Sequence, residues 1–247
     1  EYAQPNYLLY ADDLDPEAGE EAETPCLAGL PIPIGCSNEA ALSASAVAAA
    51  RPRILAAPAP VSPPAADPYI GKLWGLRKIG AEQAWRQEHG SKKVIVAVID
   101  TGIDYNHPDL AANMWRNPIT AAANGVNAAG SKITGDIVGW DFVHNDNRPY
   151  DDNGHGTHVA GTIGAVGRNG KGISGVSPNV SLLAVKFLNS SGVGATSAAI
   201  RGIEYALSRG AKVLNNSWGS RQGNNRALMD ALHDAEKAGA LVVASAG

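Results

Sequence analysis

The residues best suited to chemistry lie in the stretch 151–165, which reads DDNGHGTHVAGTIGA. Its first four residues favour a sharp turn, because Asn and Gly tolerate a positive φ. The small and apolar residues that follow predict a helix buried among strands. Its glycines cost a helix roughly 1 kcal/mol each relative to Ala, so we expect another backbone to approach closely. His155 lies at the first turn of this helix and is a candidate general base, since histidine changes protonation near neutral pH.

Two other interpretations of His155 stay open from these residues alone. A histidine beside a glycine is commonly structural or solvated. His155 and His158 could also hold a metal ion together. Their i, i+3 spacing, however, lacks the glutamate of the His-Glu-x-x-His motif and a clear third ligand.

A second chemical group, Asp100, ends the β-branched run over residues 92–99, which is typical of a strand buried on both faces. A carboxylate at a strand end and an imidazole at a helix start are what a nucleophile-activating relay needs. The carboxylate holds one ring nitrogen so that the other can take a proton from a hydroxyl.

The elements that must position these groups follow an alternating pattern. Further strands are predicted over 180–185, 213–217 and 241–244, and helices over 196–209 and 225–238. This order predicts an α/β fold built on a parallel sheet with right-handed crossovers. In such sheets the functional sites usually lie beyond the carboxyl ends of the strands, and Asp100 and Ser217 both lie there.

Composition restricts the class of protein. The chain has 247 residues, 45% of them hydrophobic, and a net charge of −4. These values suit one globular domain with extra segments and give no basic patch for nucleic acid. No apolar run reaches the length of a membrane span. The chain starts at Glu1 without a charged-then-apolar leader, so we expect any secretory signal to lie outside it.

The N-terminal part differs in character from the rest. Residues 1–10 look like the tail of a strand, and residues 11–66 are first acidic and then rich in Ala and Pro. Such composition buries too little apolar surface to offset its ordering entropy, so we predict a disordered linker over 11–66. Cys26 and Cys36 could form one small disulfide, but a single pair does not settle the compartment.

Two motifs resemble one known family. Residues 98–104, VIDTGID, with residues 107–110, HPDL, resemble the aspartate motif of subtilisin-like serine proteases. Residues 153–161, NGHGTHVAG, match the histidine motif of the same family. The resemblance covers residues 67–247 and implies a three-layer α/β fold with a mainly parallel sheet, incomplete at its C-terminal side. It makes 67–247 the N-terminal part of a catalytic domain, in which Asp100 orients the imidazole and His155 acts as base and then acid.

The resemblance also assigns residues to substrate binding. One set resembles the edge strand that pairs with the substrate backbone, and the other resembles the strand lining the primary specificity pocket. These residues are Gly192, Val193 and Gly194 in the first set, and Ser217, Trp218 and Gly219 in the second. An ordinary strand end and an ordinary loop are the alternatives.

Residues 1–7, EYAQPNY, are similar to the end of the inhibitory propeptide of these proteases. The resemblance therefore makes residues 1–10 the end of a propeptide-like segment and residues 11–66 a long activation linker. It implies a zymogen whose own propeptide is an intramolecular inhibitor, a polypeptide substrate and a monomeric enzyme. It also implies a secreted or vacuolar location.

The third motif of the family, Gly-Thr-Ser before a small-residue helix, is absent, and so is the asparagine that stabilises the oxyanion. We therefore expect the chain to be a fragment with Asp and His but no nucleophile, inactive on its own. Residues 194–199, GATSAA, are a tempting substitute, but their position in the order of motifs is wrong. Thr196 or Ser197 is better interpreted as a helix N-cap.

Calcium is the one cofactor that the resemblance implies, and no organic cofactor is expected. Asp109 falls where the family often has a calcium-binding carboxylate, with partners from a loop near Asn169. Asp141 and Asp146 resemble a second site, which is weaker because His144 and Arg148 stand where oxygen ligands would be needed. A turn or cap role is the alternative for each Asp.

Two other functions remain as alternatives. Residues 100–102, Asp-Thr-Gly, also spell the triplet of aspartic proteases, in which two carboxylates share a proton. That chemistry needs a second triplet or a dimer of small β domains, and this α/β pattern has neither. The other alternative is a non-catalytic relative that binds a peptide or a protease without cleaving it.

Overall fold

The computed structural model describes residues 8–11, 66–118, 133, 135–220 and 225–246. The predictions for residues 1–7, for most of the linker over 11–66 and for the two cysteines lie outside the described residues. Within the described ranges, no helix has the length and the apolar character that a membrane crossing requires.

A parallel sheet of five strands forms the centre, as the alternating pattern predicts. Its strands are β2 (Ile95–Asp100), β3 (Gly139–Asp141), β4 (Ser181–Lys186), β6 (Val213–Asn216) and β8 (Leu241–Ala244), in the spatial order β3-β4-β2-β6-β8. All the pairings between neighbours are parallel. β2 and β4 lie at the middle of the sheet and are almost wholly buried, which explains their continuous apolar sequence.

Three longer helices cover the two faces of the sheet. They are α3 (His155–Gly164), α4 (Thr196–Ser208) and α5 (Arg226–Lys237). Val96 and Val98 of β2 pack in one apolar cluster with Ala160 of α3. Ala97 and Ile99 point to the opposite face, in a cluster with residues of α4 and α5. Because successive side chains of a strand alternate between faces, this arrangement confirms the three-layer prediction.

The alternation of strands and helices is confirmed, and small differences remain at the boundaries. The strand predicted over 92–99 begins only at Ile95 and includes Asp100. Helix α4 begins at Thr196, and Ala195 is its N-cap residue without a side-chain cap. The prediction that Thr196 or Ser197 caps this helix is therefore wrong, because both residues lie inside the helix. Gly210 and Gly239 follow α4 and α5 with φ values of 81° and 80°, the left-handed conformation in which helices commonly end.

Several short elements accompany the central sheet. Before β2 lie a 3₁₀ turn and two short helices: Ile70–Lys72, α1 (Trp74–Lys78) and α2 (Ala81–Ala84). A second, antiparallel sheet joins β1 (Leu8–Ala11), β5 (Val193–Ala195) and β7 (Trp218–Gly219), with β1 in the middle. This small sheet lies next to the carboxyl ends of the central strands, because β5 follows β4 and β7 follows β6.

A buried ion pair ties α4 to the segment before β3. Asp136, whose side chain is 0% exposed, accepts bonds of 2.7 and 3.0 Å from the Arg209 guanidinium. The Tyr205 hydroxyl and the Asn117 amide also donate to this carboxylate. Burial and the Asp136 carboxylate raise the pKa of the Tyr205 phenol, so it stays protonated as a donor. The carboxylate is thus fully hydrogen-bonded inside the protein.

Candidate active site

The central contact of the site joins the end of one strand to the start of one helix. Asp100 is the last residue of β2, and His155 is the first residue of α3. Nδ1 of His155 lies 2.7 Å from Oδ1 of Asp100, and the two residues are 6% and 0% exposed. The structure therefore brings together the two residues that the sequence proposes as a relay.

The loop after β2 holds this pair in place through Thr101. The Thr101 backbone N–H donates to Oδ1 of Asp100 at 2.6 Å, which orients the carboxylate. The Thr101 hydroxyl accepts a bond of 2.9 Å from the Gly156 N–H and donates one of 2.8 Å to Asp151. One buried threonine thus connects the aspartate strand to the first turn of the histidine helix.

Asp151 organises the turn that precedes the helix. Its carboxylate accepts hydrogen bonds from the backbone N–H groups of Asn153, Gly154 and Thr157, and from the Thr157 hydroxyl. Burial raises the pKa of Asp151, but the bonds from Gly154 and Thr157 outweigh burial and set the pKa below its ordinary value. Gly154 has a φ of 108°, as the predicted turn requires.

Close backbone approach explains one of the glycines in α3. A Cβ atom at Gly156 would overlap the carbonyl oxygen of Gly102, and it would lie 3.1 Å from Oδ1 of Asp100. Gly161 differs, since a Cβ there would meet only the end of Ile173 at 3.8 Å. The predicted close approach is thus confirmed at Gly156, at the contact with the aspartate loop.

The helix is buried less completely than the sequence suggests. Gly156 and Ala160 face the sheet, whereas His158 and Thr162 are exposed. The prediction of a helix buried among strands is therefore wrong for one face of α3. The structure adds no third ligand to His155 and His158: within the described residues, no three His, Cys, Asp or Glu side chains are grouped to hold an ion.

One oxygen of the Asp100 carboxylate is unusual. Oδ2 is buried and has no hydrogen-bond donor among the residues that the structure describes. A buried carboxylate that lacks part of its solvation interacts strongly with the imidazole beside it. This arrangement can hold His155 in one orientation and stabilise the imidazolium that forms when the ring takes a proton.

A groove beside the pair is defined by the two predicted substrate-binding segments. β5 and β7 lie on either side of β1 and pair with it antiparallel, so that Leu9 is opposite Gly194 and Tyr10 is opposite both Val193 and Gly219. The Ala11 N–H donates to the Gly192 carbonyl at 2.8 Å. The backbone edges of these segments can therefore bind an extended peptide, and here they bind the N-terminal strand of the same chain.

Ser217 and Trp218 take different parts in this region. The indole N–H of Trp218 donates to the Ile99 carbonyl at 2.8 Å, and its ring packs edge-on against Phe187 at 5.0 Å. Its side chain therefore belongs to the core, and only its backbone borders the groove opposite Ala11. The Ser217 hydroxyl accepts a bond from the Asn215 amide at 2.9 Å.

The predicted calcium residues lie in contact on another part of the molecule. The Asn169 amide donates to Oδ1 of Asp109 at 2.7 Å, and the Ile173 N–H donates to Oδ2 at 2.9 Å. The same loop is held by Asp67, which accepts from the N–H groups of Arg168, Asn169 and Gly170. No motif in the sequence indicates this role of Asp67.

At the second predicted calcium site, the carboxylates of Asp141 and Asp146 are paired with neighbouring side chains. Oδ2 of Asp141 lies 2.8 Å from Nδ1 of His144, and Asp146 forms an ion pair of 2.9 Å with Arg148. The hydrogen bond and charge of Asp141 raise the pKa of His144. These contacts agree with the expectation that a histidine and an arginine stand where oxygen ligands would be needed.

The fold is a parallel three-layer α/β architecture with a buried Asp–His pair at the carboxyl end of its central strand, and such a pair can serve as a nucleophile-activating relay. A family model described as the subtilase family matches residues 91–247. The chain belongs to the subtilase family.

Several curated proteins are similar to this chain over most of its length. Thermitase of Thermoactinomyces vulgaris is 43% identical over 182 residues, which cover 73% of this chain and 57% of that protein. Subtilisin DY of Bacillus licheniformis is 40% identical over 174 residues, covering 70% of this chain and 54% of that protein. A thermophilic serine proteinase of Bacillus sp. (strain AK1) is 38% identical over 179 residues, covering 72% and 39%. The chain thus spans about half the length of the curated relatives it matches.

Proposed function

We propose that the protein is a serine-type endopeptidase of the subtilisin class. The observation that carries the proposal is the 2.7 Å contact between Asp100 and His155, buried at the end of β2. Asp100 would hold Nδ1 of the imidazole, which leaves Nε2 to take a proton from a serine hydroxyl. His155 would then return that proton to the amine that leaves when the peptide bond breaks.

The hydroxyl in this scheme belongs to the Gly-Thr-Ser motif of the family, which is not among these 247 residues. The parts that this chain supplies are the general base, the carboxylate that orients it, and the strands β5 and β7 that border the peptide-binding groove. We propose that in the chain by itself this groove binds the N-terminal strand β1 and that the chain cleaves no peptide. Peptide hydrolysis is proposed for the active form, by which we mean a protein that contains this chain together with the Gly-Thr-Ser motif.

The proposal is tested by treating the protein in its active form with a fluorophosphonate probe and with an internally quenched peptide. A serine peptidase is labelled by the probe, and labelling stops hydrolysis. Hydrolysis that pepstatin blocks and the fluorophosphonate does not would support an aspartic protease instead. Peptide binding without turnover in the active form would support a non-catalytic relative. Heat-denatured protein is the control for non-specific labelling.

An inhibitory role for the N-terminal strand is the second part of the proposal. β1 lies between β5 and β7 and fills the groove that a substrate backbone would use. Leu9 is 3% exposed and belongs to the apolar core together with Phe187 and Leu188. A strand with one buried anchor and backbone pairing on both edges suits an intramolecular inhibitor.

The inhibitory role is tested with the synthetic peptide of residues 1–11 and its Leu9→Asp variant. The unchanged peptide is expected to inhibit hydrolysis competitively. The variant is expected to inhibit at least roughly 10-fold more weakly, because it places a charge in an apolar pocket. Equal inhibition by both peptides would contradict a role for the Leu9 anchor.

The third part of the proposal is a structural calcium ion at the loop of Asp109 and Asn169. Carboxylate and amide oxygens are the ligands that this hard cation prefers, and the Asp109 carboxylate and the Asn169 side-chain amide lie in contact with each other. An ion at 100 times its dissociation constant stabilises a fold by about 2.7 kcal/mol. For a domain of this size, the midpoint of unfolding should fall by roughly 5–10 °C when a chelator is added.

The control for calcium is a pair of variants on the same loop. Asp109→Asn should abolish the response to the chelator, whereas Asp104→Asn, at a partly exposed position nearby, should keep it. A chelator that leaves the unfolding midpoint of the unchanged protein where it was would contradict calcium binding.

A secreted or vacuolar location and a monomeric state complete the proposal. An inhibitory strand suits a protease that must remain inactive along its route, and the described residues contain no helix suited to cross a membrane. Fractionation of the source cells with an antibody to the chain tests the location, and sedimentation of the purified protein tests the monomeric state.

A further inference from the structure

Lys186 is the residue whose position the peptidase mechanism does not explain. It is the last residue of β4, lies directly opposite Asp100 of β2 in the parallel register and is 1% exposed. Lysine is almost never fully buried unless its charge is paired, because its ammonium is strongly hydrated in water. A lysine at this place therefore requires a specific set of partners.

The ammonium has three N–H donors, and each of them finds an oxygen acceptor. Nζ lies 2.6 Å from the Thr101 carbonyl, 2.6 Å from Oδ1 of Asp152 and 2.9 Å from the Leu188 carbonyl. The Asp152 carboxylate provides the opposite charge, and its side chain is 41% exposed. The ammonium is thus completely satisfied by the protein.

These acceptors belong to the segments that carry the candidate catalytic pair. Thr101 directly follows Asp100, and Asp152 lies in the turn that leads into His155. The backbone after Lys186 adds to the same connection, because the Phe187 and Leu188 N–H groups donate to the Asp100 carbonyl at 3.0 and 3.2 Å. One cation therefore joins the aspartate loop to the histidine turn.

We propose that Lys186 is a positioning residue that fixes the Asp100–His155 hydrogen bond by clamping both loops from the end of β4. The inference rests on the proposed peptidase function for its catalytic meaning, but the geometric effect exists in the chain alone. Catalytic groups tolerate little displacement, so loosening either loop should impair turnover more than substrate binding.

The first test observes the hydrogen bond itself by NMR in the full 247-residue chain. The far-downfield signal of the proton between Nδ1 of His155 and Asp100 is assigned with ¹⁵N-labelled histidine. Lys186→Met keeps an unbranched side chain that is one atom shorter and removes the charge, so we expect the signal to broaden or disappear. Lys237→Met removes an exposed ammonium from α5 and is expected to leave the signal unchanged.

A second variant decides the matter if Lys186→Met does not fold. Asp152→Asn changes a half-exposed side chain and removes only the charged partner of Lys186. Weakening of the same NMR signal in this folded variant supports the proposal. A signal of unchanged position and width in either folded variant overturns it.

The kinetic test uses the protein in its active form. Lys186→Met is expected to lower kcat by roughly 10–100-fold with KM changed by less than about 3-fold, whereas Lys237→Met leaves both unchanged. Unchanged kcat in a folded Lys186→Met variant overturns the proposal. If the active form shows no peptidase activity at all, the proposed function fails, and the NMR result still decides whether Lys186 positions the pair.

Discussion

The most specific prediction concerns two glycines of the same helix. Gly156 and Gly161 both lie in α3, so replacing either with Ala brings the same gain in helix propensity, about 0.5–1 kcal/mol. The surroundings differ. An added Cβ overlaps the Gly102 carbonyl at Gly156 but makes only an ordinary 3.8 Å contact with Ile173 at Gly161.

The two substitutions should therefore change stability in opposite directions. Overpacking against a fixed backbone costs roughly 1–3 kcal/mol, which exceeds the propensity gain at Gly156. Gly156→Ala should lower the midpoint of thermal unfolding by roughly 2–10 °C, and Gly161→Ala should raise it by roughly 1–4 °C. Calorimetry of the two variants beside the unchanged protein measures both shifts.

The same pair of variants separates stability from catalysis. Gly156→Ala pushes the first turn of α3 away from the aspartate loop and should lower kcat by up to about 10²-fold, because His155 moves relative to Asp100. Gly161→Ala should keep kcat. A Gly156→Ala variant that is as stable and as active as Gly161→Ala would contradict a close approach between Gly156 and the Gly102 carbonyl.

Two further predictions concern buried carboxylates. The lowered pKa of Asp151 contributes stability that is fully present above about pH 4 and is lost as the pH falls further, because the unfolded chain takes up the proton first. Asp151→Asn should therefore flatten the acid side of the stability curve measured by denaturant titration, and an unchanged acid slope would contradict the assignment. Arg209→Met should cost roughly 3–5 kcal/mol, since it leaves the buried Asp136 carboxylate without its cation. Chemical unfolding measures that loss, and the exposed variant Arg226→Met, which should lose less than about 1 kcal/mol, is the control.

Much of the fold is predictable from the sequence because its signals are local. The β-branched run before Asp100 predicts a central strand, and the spacing of Ile200, Ile203 and Leu207 predicts the amphipathic helix α4. The site pair follows from the same logic, since Asp100 ends a strand and His155 begins a helix. Local patterns of this kind need no knowledge of distant partners.

The remaining features depend on contacts between distant parts of the chain. β5 and β7 have three and two residues, too few for an alternating pattern to stand out. Lys186 at the end of a strand suggests an exposed residue, and its burial becomes clear only when Thr101 and Asp152 are placed around it. The role of Asp67 likewise depends on a distant contact, because its carboxylate accepts a hydrogen bond from the Asn169 N–H. No pattern within a short window can reveal such pairings.

The central claim is that Asp100 and His155 act together on a nucleophilic serine. Its most direct test is the rate of peptide hydrolysis by the protein in its active form, compared with Asp100→Asn and His155→Ala at equal concentrations of folded protein. We expect each variant to lose about 10⁴-fold or more in kcat, the scale found when a member of such a triad is removed, including in relatives of this family. Hydrolysis by either variant at the rate of the unchanged protein would contradict it.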